Sequence, residues 1–334
     1  MIIVTGGAGF IGSNILAALG REMRSGERAF DDLVVVDRLR NGDKWRNIAK
    51  RELAEVVAPE RLPEFLAANV SEIDAIVHMG AISATTERDV DLIAESNIRL
   101  TRTLWNFCRD KEKRLIFASS AATYGGGELG FDDRDDLEYL NALRPLNAYG
   151  WSKAFIDRKI ARDVALGRKT PKQFVGLKFF NVYGPNEYHK GGQKSVVAHL
   201  YPLVERDEET LLFKSHNPNY RDGEQLRDFV WVGDVANVVL WALDNPTVSG
   251  LFNVGSGEAR SFYDLAKATW NAAGKTPKIA FKDMPEELRG KYQYYTKANM
   301  AKLRAAGYDK PSTSLEEGVR IYVQEFLSRE DAYL

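Results

Sequence analysis

The feature that most constrains this chain lies at its start. Ile2-Ile3-Val4-Thr5 is a short β-branched run that breaks into Gly6-Gly7-Ala8-Gly9-Phe10-Ile11-Gly12 and then into an apolar helical stretch, Ile11 to Leu19. Such a run suits a strand buried on both faces. The three spaced glycines do different things. Gly6 permits a tight turn out of the strand, Gly9 lets backbone approach a pyrophosphate, and Gly12 lets the helix pack closely on the sheet. The helix N-terminus then offers free N–H groups and the positive end of a dipole to phosphates. A second buried strand, Leu33 to Val36, ends at Asp37, about 25 positions further on. Strand, glycine turn, helix, strand and acidic end together predict a dinucleotide site. A carboxylate at Asp37 can accept hydrogen bonds from a ribose, which suits NAD. The cations that follow at once, Arg38, Arg40, Lys44 and Arg46, suit the 2′-phosphate of NADP. The residue types leave both open.

Further short apolar runs start at Ala75 to Val77, Leu115 to Ala118 and Phe174 to Leu177, with helical stretches between them, notably Asp89 to Arg109 and Ala148 to Ala165. Alternation of this kind predicts an α/β fold with a Rossmann-type doubly wound parallel sheet. After Phe180 the loops lengthen, and helices read at Ser195 to Val204, Val232 to Leu243, Phe262 to Ala273, Lys297 to Ala305 and Leu315 to Phe326. Gly250 to Val254 reads as a strand returning to the first sheet. The expected division is a dinucleotide-binding domain over 1–180, with returning segments near 228–256, and a smaller C-terminal α/β substrate lobe over 181–334.

Bulk properties narrow the class. Lys+Arg total 46 and Asp+Glu 47, a balance that gives no electrostatic reason to expect nucleic acid or an anionic membrane as partner. Cys108 is the only cysteine, so no internal disulfide can form, and it sits in a helical pattern as a small core residue. The apolar start is too short for a signal peptide or a span, so the expected location is the cytoplasm. The four histidines and one cysteine show no zinc-ligand spacing, and no metal is expected.

The chemistry is expected at Tyr149-Gly150-Trp151-Ser152-Lys153, where a helix would place Tyr149 and Lys153 on one face. A phenol with a pKa near 10 is a poor base at neutral pH. A neighbouring ammonium and an oxidised nicotinamide would stabilise the phenolate and lower that pKa, so that Tyr149 could take a proton from an alcohol as hydride leaves. Alone, such a pair is a common surface coincidence; following the fourth strand of a dinucleotide fold, it reads as catalytic. Ser119-Ser120 ends that fourth strand, at the ligand-facing edge, where the Ser120 hydroxyl can hold the reacting alcohol beside Tyr149.

The glycine turn, the Ser-Ser strand end and the Tyr-x-x-x-Lys helix resemble the extended short-chain dehydrogenase/reductase superfamily, with Arg227-Asp228-Phe229-Val230-Trp231-Val232-Gly233-Asp234-Val235 resembling its second-lobe signature. Its dehydratases carry an Asp-Glu pair where this chain has Ala121 and Ala122, which leaves epimerases and reductases. Longer strings, Phe179 to Gly191, Ser119 to Gly126, Gly80 to Glu87 and Arg304 to Pro311, resemble the ADP-L-glycero-D-manno-heptose 6-epimerase family. That resemblance implies interconversion of the two C6 epimers of an ADP-heptose, in supply of heptose for lipopolysaccharide. A 6-keto intermediate is re-reduced by the same tightly bound NADP, one per subunit, and NAD is possible. It further implies a homo-oligomer, a homopentamer, with a small-molecule substrate. By the same resemblance Tyr149 and Lys190 are the two acid/bases. Phe10, Ile11, Asp37, Arg38 and Lys44 hold the adenosine end of the cofactor. Met79, Gly80, Ala81, Ile82, Ser83, Ser96 and Lys153 line the rest, with Val182 near the nicotinamide. Asn181, Lys190, Gly192, His199, Arg227 and Tyr292 contact substrate. From the residues alone, Lys190 reads as a phosphate-binding or surface lysine and His199 as a core or surface histidine. Met79 and Gly192 depart from an acidic residue and a serine in the family pattern. The nearest enzymatic alternative is a UDP-hexose 4-epimerase or related reductase. A non-catalytic NADP-binding regulator would be expected to lack Tyr149 or Lys153.

Overall fold

The computed structural model describes residues 1–28, 32–289 and 292–334. Seven strands form one sheet: β1 (Ile2–Thr5), β2 (Leu33–Val36), β3 (Glu55–Val57), β4 (Ala75–His78), β5 (Arg114–Ser120), β6 (Gln173–Phe179) and β7 (Gly250–Val254). Their order is β7-β6-β5-β4-β1-β2-β3, and every pairing is parallel. The returning strand expected at Gly250 to Val254 pairs with β6, Leu251 opposite Gly176 and Val254 opposite Phe179. The β3 strand has no counterpart in the sequence reading. It is a three-residue edge strand with only Val57 buried, too short and too exposed to leave a periodic signal.

Helices cover both faces, which is why the strands are apolar throughout rather than alternating. On one face α1 (Phe10–Ser25) packs with Ile2, Val4, Val35, Val77 and the helix Val232–Asp244. On the other, α2 (Leu100–Asp110) and α3 (Ala148–Ala165) pack over Ile3, Val34, Ile76, Leu115 and Phe117. Ile2, Ile3 and Val4 are fully buried, each stabilising the sheet by roughly 1.5–3 kcal/mol. Cys108 belongs to the second core as expected, and burial pushes its thiol up to about 12.

The helical stretch expected over Asp89 to Arg109 is present, but its middle, Ala94–Arg99, is wound as a π-helix between Val90–Ile93 and α2. The helix expected from Lys297 is shorter, Ala301–Ala305. The preceding backbone is drawn away to Leu226 and Asp228: the Thr296 N–H donates to Leu226 O at 3.2 Å and the Ala298 N–H to Asp228 Oδ2 at 2.9 Å. The end of the chain is helical over Leu315–Tyr322 and π-helical over Val323–Leu327. Beyond β6, a third cluster gathers Tyr183, Val197, Tyr201, Phe229, Leu265, Val319 and Tyr322 around α4 (Val196–Glu205) and α5 (Phe262–Ala272). Two-stranded pairings, Asn181–Tyr183 with Phe229–Trp231 and Thr210–Phe213 with Ile279–Lys282, link its segments. No helix among the described residues is long and apolar enough to cross a membrane.

Candidate active site

The carboxyl ends of β1 and β4 lie side by side, yet the chain winds away from them in opposite directions, and a crevice opens where it does so. A cleft of about 820 Å³ runs from there along the ends of β5 and β6. Gly6, Gly9, Phe10, Ile11 and Gly12 line one end. The glycines are required by space. Gly6 has φ +67°, and a Cβ on it would stand 2.6 Å from Gly80 N; a Cβ on Gly12 would stand 2.3 Å from Gly6 O. Gly9 caps α1 without a side-chain hydrogen bond, which leaves the first-turn N–H groups available to a ligand at the positive end of the helix. Asp37 and Lys44 line the same end. Asp37 Oδ2 accepts from Ala8 N at 3.0 Å, and Oδ1 accepts from Lys44 Nζ at 2.5 Å and Arg38 N at 2.7 Å. The acidic strand end is therefore neutralised by a lysine that itself faces the cleft. A glycine cradle, an uncapped helix start and a paired Asp/Lys fit a dinucleotide.

Met79, Gly80, Ala81 and Ser83 continue the wall beyond β4. Their path is held by Asn97, which sequence reasoning missed. Its Oδ1 accepts from Ile82 N at 2.8 Å, and its Nδ2 donates to Ile82 O at 3.0 Å and to Ser152 Oγ at 3.0 Å. Asn97 lies fully buried inside the π-helical turn, a distortion that recurs at functional sites. The only signal in the sequence is a polar residue on the apolar face of a helical stretch.

The floor is built by β5 and α3. Asn147 caps α3, its side chain accepting from Gly150 N at 2.8 Å, and so sets Tyr149 in the first turn and Lys153 in the next. Both line the cleft with Ser120. Ser120 Oγ accepts from Ala122 N at 3.1 Å, which leaves its hydroxyl proton for Tyr149. Lys153 Nζ donates to Ala118 O at 2.7 Å. Burial brings the Lys153 ammonium down to about 8, against the opposing pull of Asp157. The packed site adds to the Tyr149 phenol an effect that sequence does not show. Burial raises its pKa, Asp157 adds to the rise, and only the hydrogen bond from Ser120 opposes it. The protein's own groups therefore favour the neutral phenol, because desolvation penalises the phenolate and the Lys153 ammonium is engaged with a carbonyl.

The facing wall comes from the short strand Asn181–Tyr183 and from loops. Asn181, Val182, Lys190, Gly192 and Tyr292 line it. Lys190 sits in the 3-10 turn Tyr188–Gln193, its Nζ 5.1 Å from the centre of the Phe10 ring, so it reaches across to the glycine turn. Burial lowers its pKa, opposed by the carboxylate of Glu187. His189, Gln193, Lys194 and Ser195 line this wall too, unanticipated but flanking Lys190 in sequence.

Five expected residues are not on the cleft surface. Arg38 is exposed and pairs with Glu60 at 2.6 Å. Ile82 is turned into the Asn97 contacts, and Ser96 is half-buried in the π-helical turn. His199 is exposed on α4, its Nε2 donating to Gly192 O at 3.3 Å. Arg227 is buried behind the wall, its guanidinium 5.1 Å from the ring of Tyr292 and 5.5 Å from that of Phe262. Through Gly192 and Tyr292 the last two support cleft residues.

Comparison with known proteins agrees with this geometry. Residues 2–255 match the family described as NAD dependent epimerase/dehydratase. The chain is 49% identical to the ADP-L-glycero-D-manno-heptose-6-epimerase of Fusobacterium nucleatum subsp. nucleatum and 46% identical to that of Nitratidesulfovibrio vulgaris, in each case over 100% of both chains. Among solved structures, the Helicobacter pylori ADP-L-glycero-D-manno-heptose-6-epimerase matches with a TM-score of 0.75 at 27% identity, covering 97% of this chain and 95% of that one. The Thermus thermophilus UDP-glucose 4-epimerase, a complex with NAD, matches with a TM-score of 0.72 at 27% identity, covering 98% and 99%. The chain therefore belongs to the NAD dependent epimerase/dehydratase family and, within it, to the ADP-L-glycero-D-manno-heptose-6-epimerases.

Proposed function

We propose that this enzyme interconverts ADP-D-glycero-D-manno-heptose and ADP-L-glycero-D-manno-heptose through a 6-keto intermediate, in supply of heptose for lipopolysaccharide. The observation that carries the reading is one cleft in which a glycine cradle adjoins Tyr149, Ser120 and Lys153 on the floor while Lys190 stands on the facing wall. Full-length identity to proteins of that name supports the substrate. Gly6 to Gly12, Asp37 and Lys44 would hold a nicotinamide dinucleotide, which would supply the acceptor and donor of hydride.

Burial alone favours the neutral Tyr149 phenol; the positive charge of Lys153 and of an oxidised nicotinamide would offset that, so that Tyr149 as the phenolate would take the C6 hydroxyl proton while Ser120 donates to the C6 oxygen. Lys153 gives the floor a positive charge. Inversion would require hydride to return to the opposite face of the C6 ketone while its oxygen takes a proton, and Lys190, which lines the same cleft as Tyr149, is the proposed donor of that proton. Burial lowers the Lys190 pKa, which favours proton exchange over a permanent charge. NADP is the proposed cofactor, supported by Lys44 neutralising Asp37 at the adenosine end. Homopentameric assembly is supported by the family resemblance alone and is checked by sedimentation.

Purified protein incubated with ADP-D-glycero-D-manno-heptose, without added reductant, should yield a mixture of C6 epimers. Turnover of UDP-galactose with no conversion of the heptose would favour a 4-epimerase instead.

A further inference from the structure

Behind the floor of the cleft lie two charges with no contact to solvent. Lys178 on β6 and Asp157 on α3 are both completely buried, and their Nζ and Oδ2 are 2.5 Å apart. A buried pair of this kind does not earn its place by stability, since well-packed apolar residues usually do as well. Its connections point to chemistry. Asp157 follows Lys153 by one turn of α3 and Tyr149 by two, so all three lie on one stripe of the helix. Asp157 Oδ2 also accepts from Ser119 Oγ at 2.9 Å. Lys178 Nζ donates to Thr123 Oγ1 at 2.9 Å, and the Thr123 hydroxyl donates to Ser120 O at 2.8 Å. With Lys153 bonded to Ala118 O, three consecutive residues at the end of β5 are each tied to this charged network.

We propose that the Asp157–Lys178 pair is a positioning device for the reaction: it clamps the Ala118-Ser119-Ser120 strand end against the Tyr149–Lys153 face and sets a carboxylate one helical turn from Lys153. The inference rests on the assignment of Tyr149 and Lys153 as the reacting floor. The groups facing Asp157 are Lys178 from β6, Ser119 from β5, Tyr124 from the turn beyond it, whose ring lies 4.8 Å from Lys178 Nζ, and Lys153 and Tyr149 from its own helix. His78 on β4 senses Lys153 but is held neutral, burial bringing it down to about 3. Asp157 thus stands as an anion one helical turn from Lys153. Its negative charge raises the Lys153 pKa against burial, so its loss lets Lys153 shed its proton at a lower pH.

The test uses the holoenzyme in two variants. Asp157→Asn keeps the shape but strands Lys178. The double variant Asp157→Leu/Lys178→Met replaces both charges with apolar volume and should fold. In either, kcat should fall about 10- to 100-fold with KM within about threefold; the alkaline limb of the kcat profile should move down by about one unit in Asp157→Asn, which keeps the Lys178 cation, and by less in the double variant. Titration of ¹⁵Nζ-labelled Lys153 by NMR reads the same shift without turnover, so it still decides the matter if the heptose is not the substrate. A double variant that keeps the wild-type kcat and Lys153 titration would overturn the proposal. A double variant that cannot fold would also overturn it, since the pair would then belong to the core alone.

Discussion

The two lysines of the cleft are held in opposite ways. Lys153 is in the second turn of a capped eighteen-residue helix and bonds a strand carbonyl, so repeating backbone hydrogen bonds on both sides fix it. Lys190 is in a six-residue turn that contains a left-handed glycine, Gly191 at φ +56°. That turn is held by side chains from distant segments. Glu187 Oε1 accepts from Tyr322 OH at 3.0 Å and from Ser195 Oγ at 2.5 Å, while Asn186 Oδ1 accepts from Leu334 N at 3.0 Å and its Nδ2 donates to Ser13 Oγ at 3.0 Å. One wall is thus built by secondary structure and the other by a web of single contacts. The first suits a proton transfer that requires fixed geometry. The second suits a group that must let substrate in and then meet its far side.

If the helical wall carries the main chemistry, the largest loss should come from Tyr149→Phe. Turnover should fall about 10²- to 10⁴-fold while the cofactor stays bound, checked by absorbance of the purified protein and by epimer ratio. Normal activity in that variant would remove Tyr149 as a catalyst. Lys153→Met should follow, with about a 10²-fold loss in kcat. Its pH dependence has a definite sign. Lys153 is charged below about 8 and neutral above, so wild-type activity should decline as pH rises through that value, and the decline should be absent in the variant. A wild-type rate that keeps rising well past pH 9 would mean that the Lys153 charge is not required.

The same contrast explains what could be read from the sequence. The glycine turn, the buried strands and the Tyr149/Lys153 spacing are local patterns, each set by backbone geometry within a few residues. Their places in the fold followed from topology rules. Asn97 was missed because its partners, Ile82 and Ser152, are far away in sequence and its helix has no breaker to mark the π turn. Arg227 and His199 matched a family pattern, but a pattern does not say whether a side chain reaches the cleft or braces a residue that does. Tyr149 shows a similar limit: a charge at i+4 is visible in sequence, whereas the desolvation that raises its pKa is a property of the packed site.

On the loop wall, Lys190→Ala should lower kcat about 10- to 100-fold even at saturating substrate, because the far-side proton transfer is lost. Steady-state kinetics separate the two roles: a rise in KM with kcat unchanged would make Lys190 a binding residue and would leave all the chemistry on the helical wall.

The smallest effect is expected at the adenosine end, where the two walls meet. Lys44 lies in a short 3-10 turn, Asp43–Asn47, anchored to the Lys190 loop by Asn47 Nδ2, which donates to Asn186 O at 3.1 Å. Its ammonium neutralises Asp37, and a 2′-phosphate brought there would otherwise meet a bare carboxylate. Lys44→Ala should therefore weaken NADP binding about tenfold, one charged hydrogen bond. It should leave NAD binding nearly unchanged, because Asp37 is then free to accept the ribose hydroxyls. Competitive reloading of the apoprotein with the two cofactors measures the ratio. An equal loss for both would mean that Lys44 shapes the turn rather than reading the phosphate.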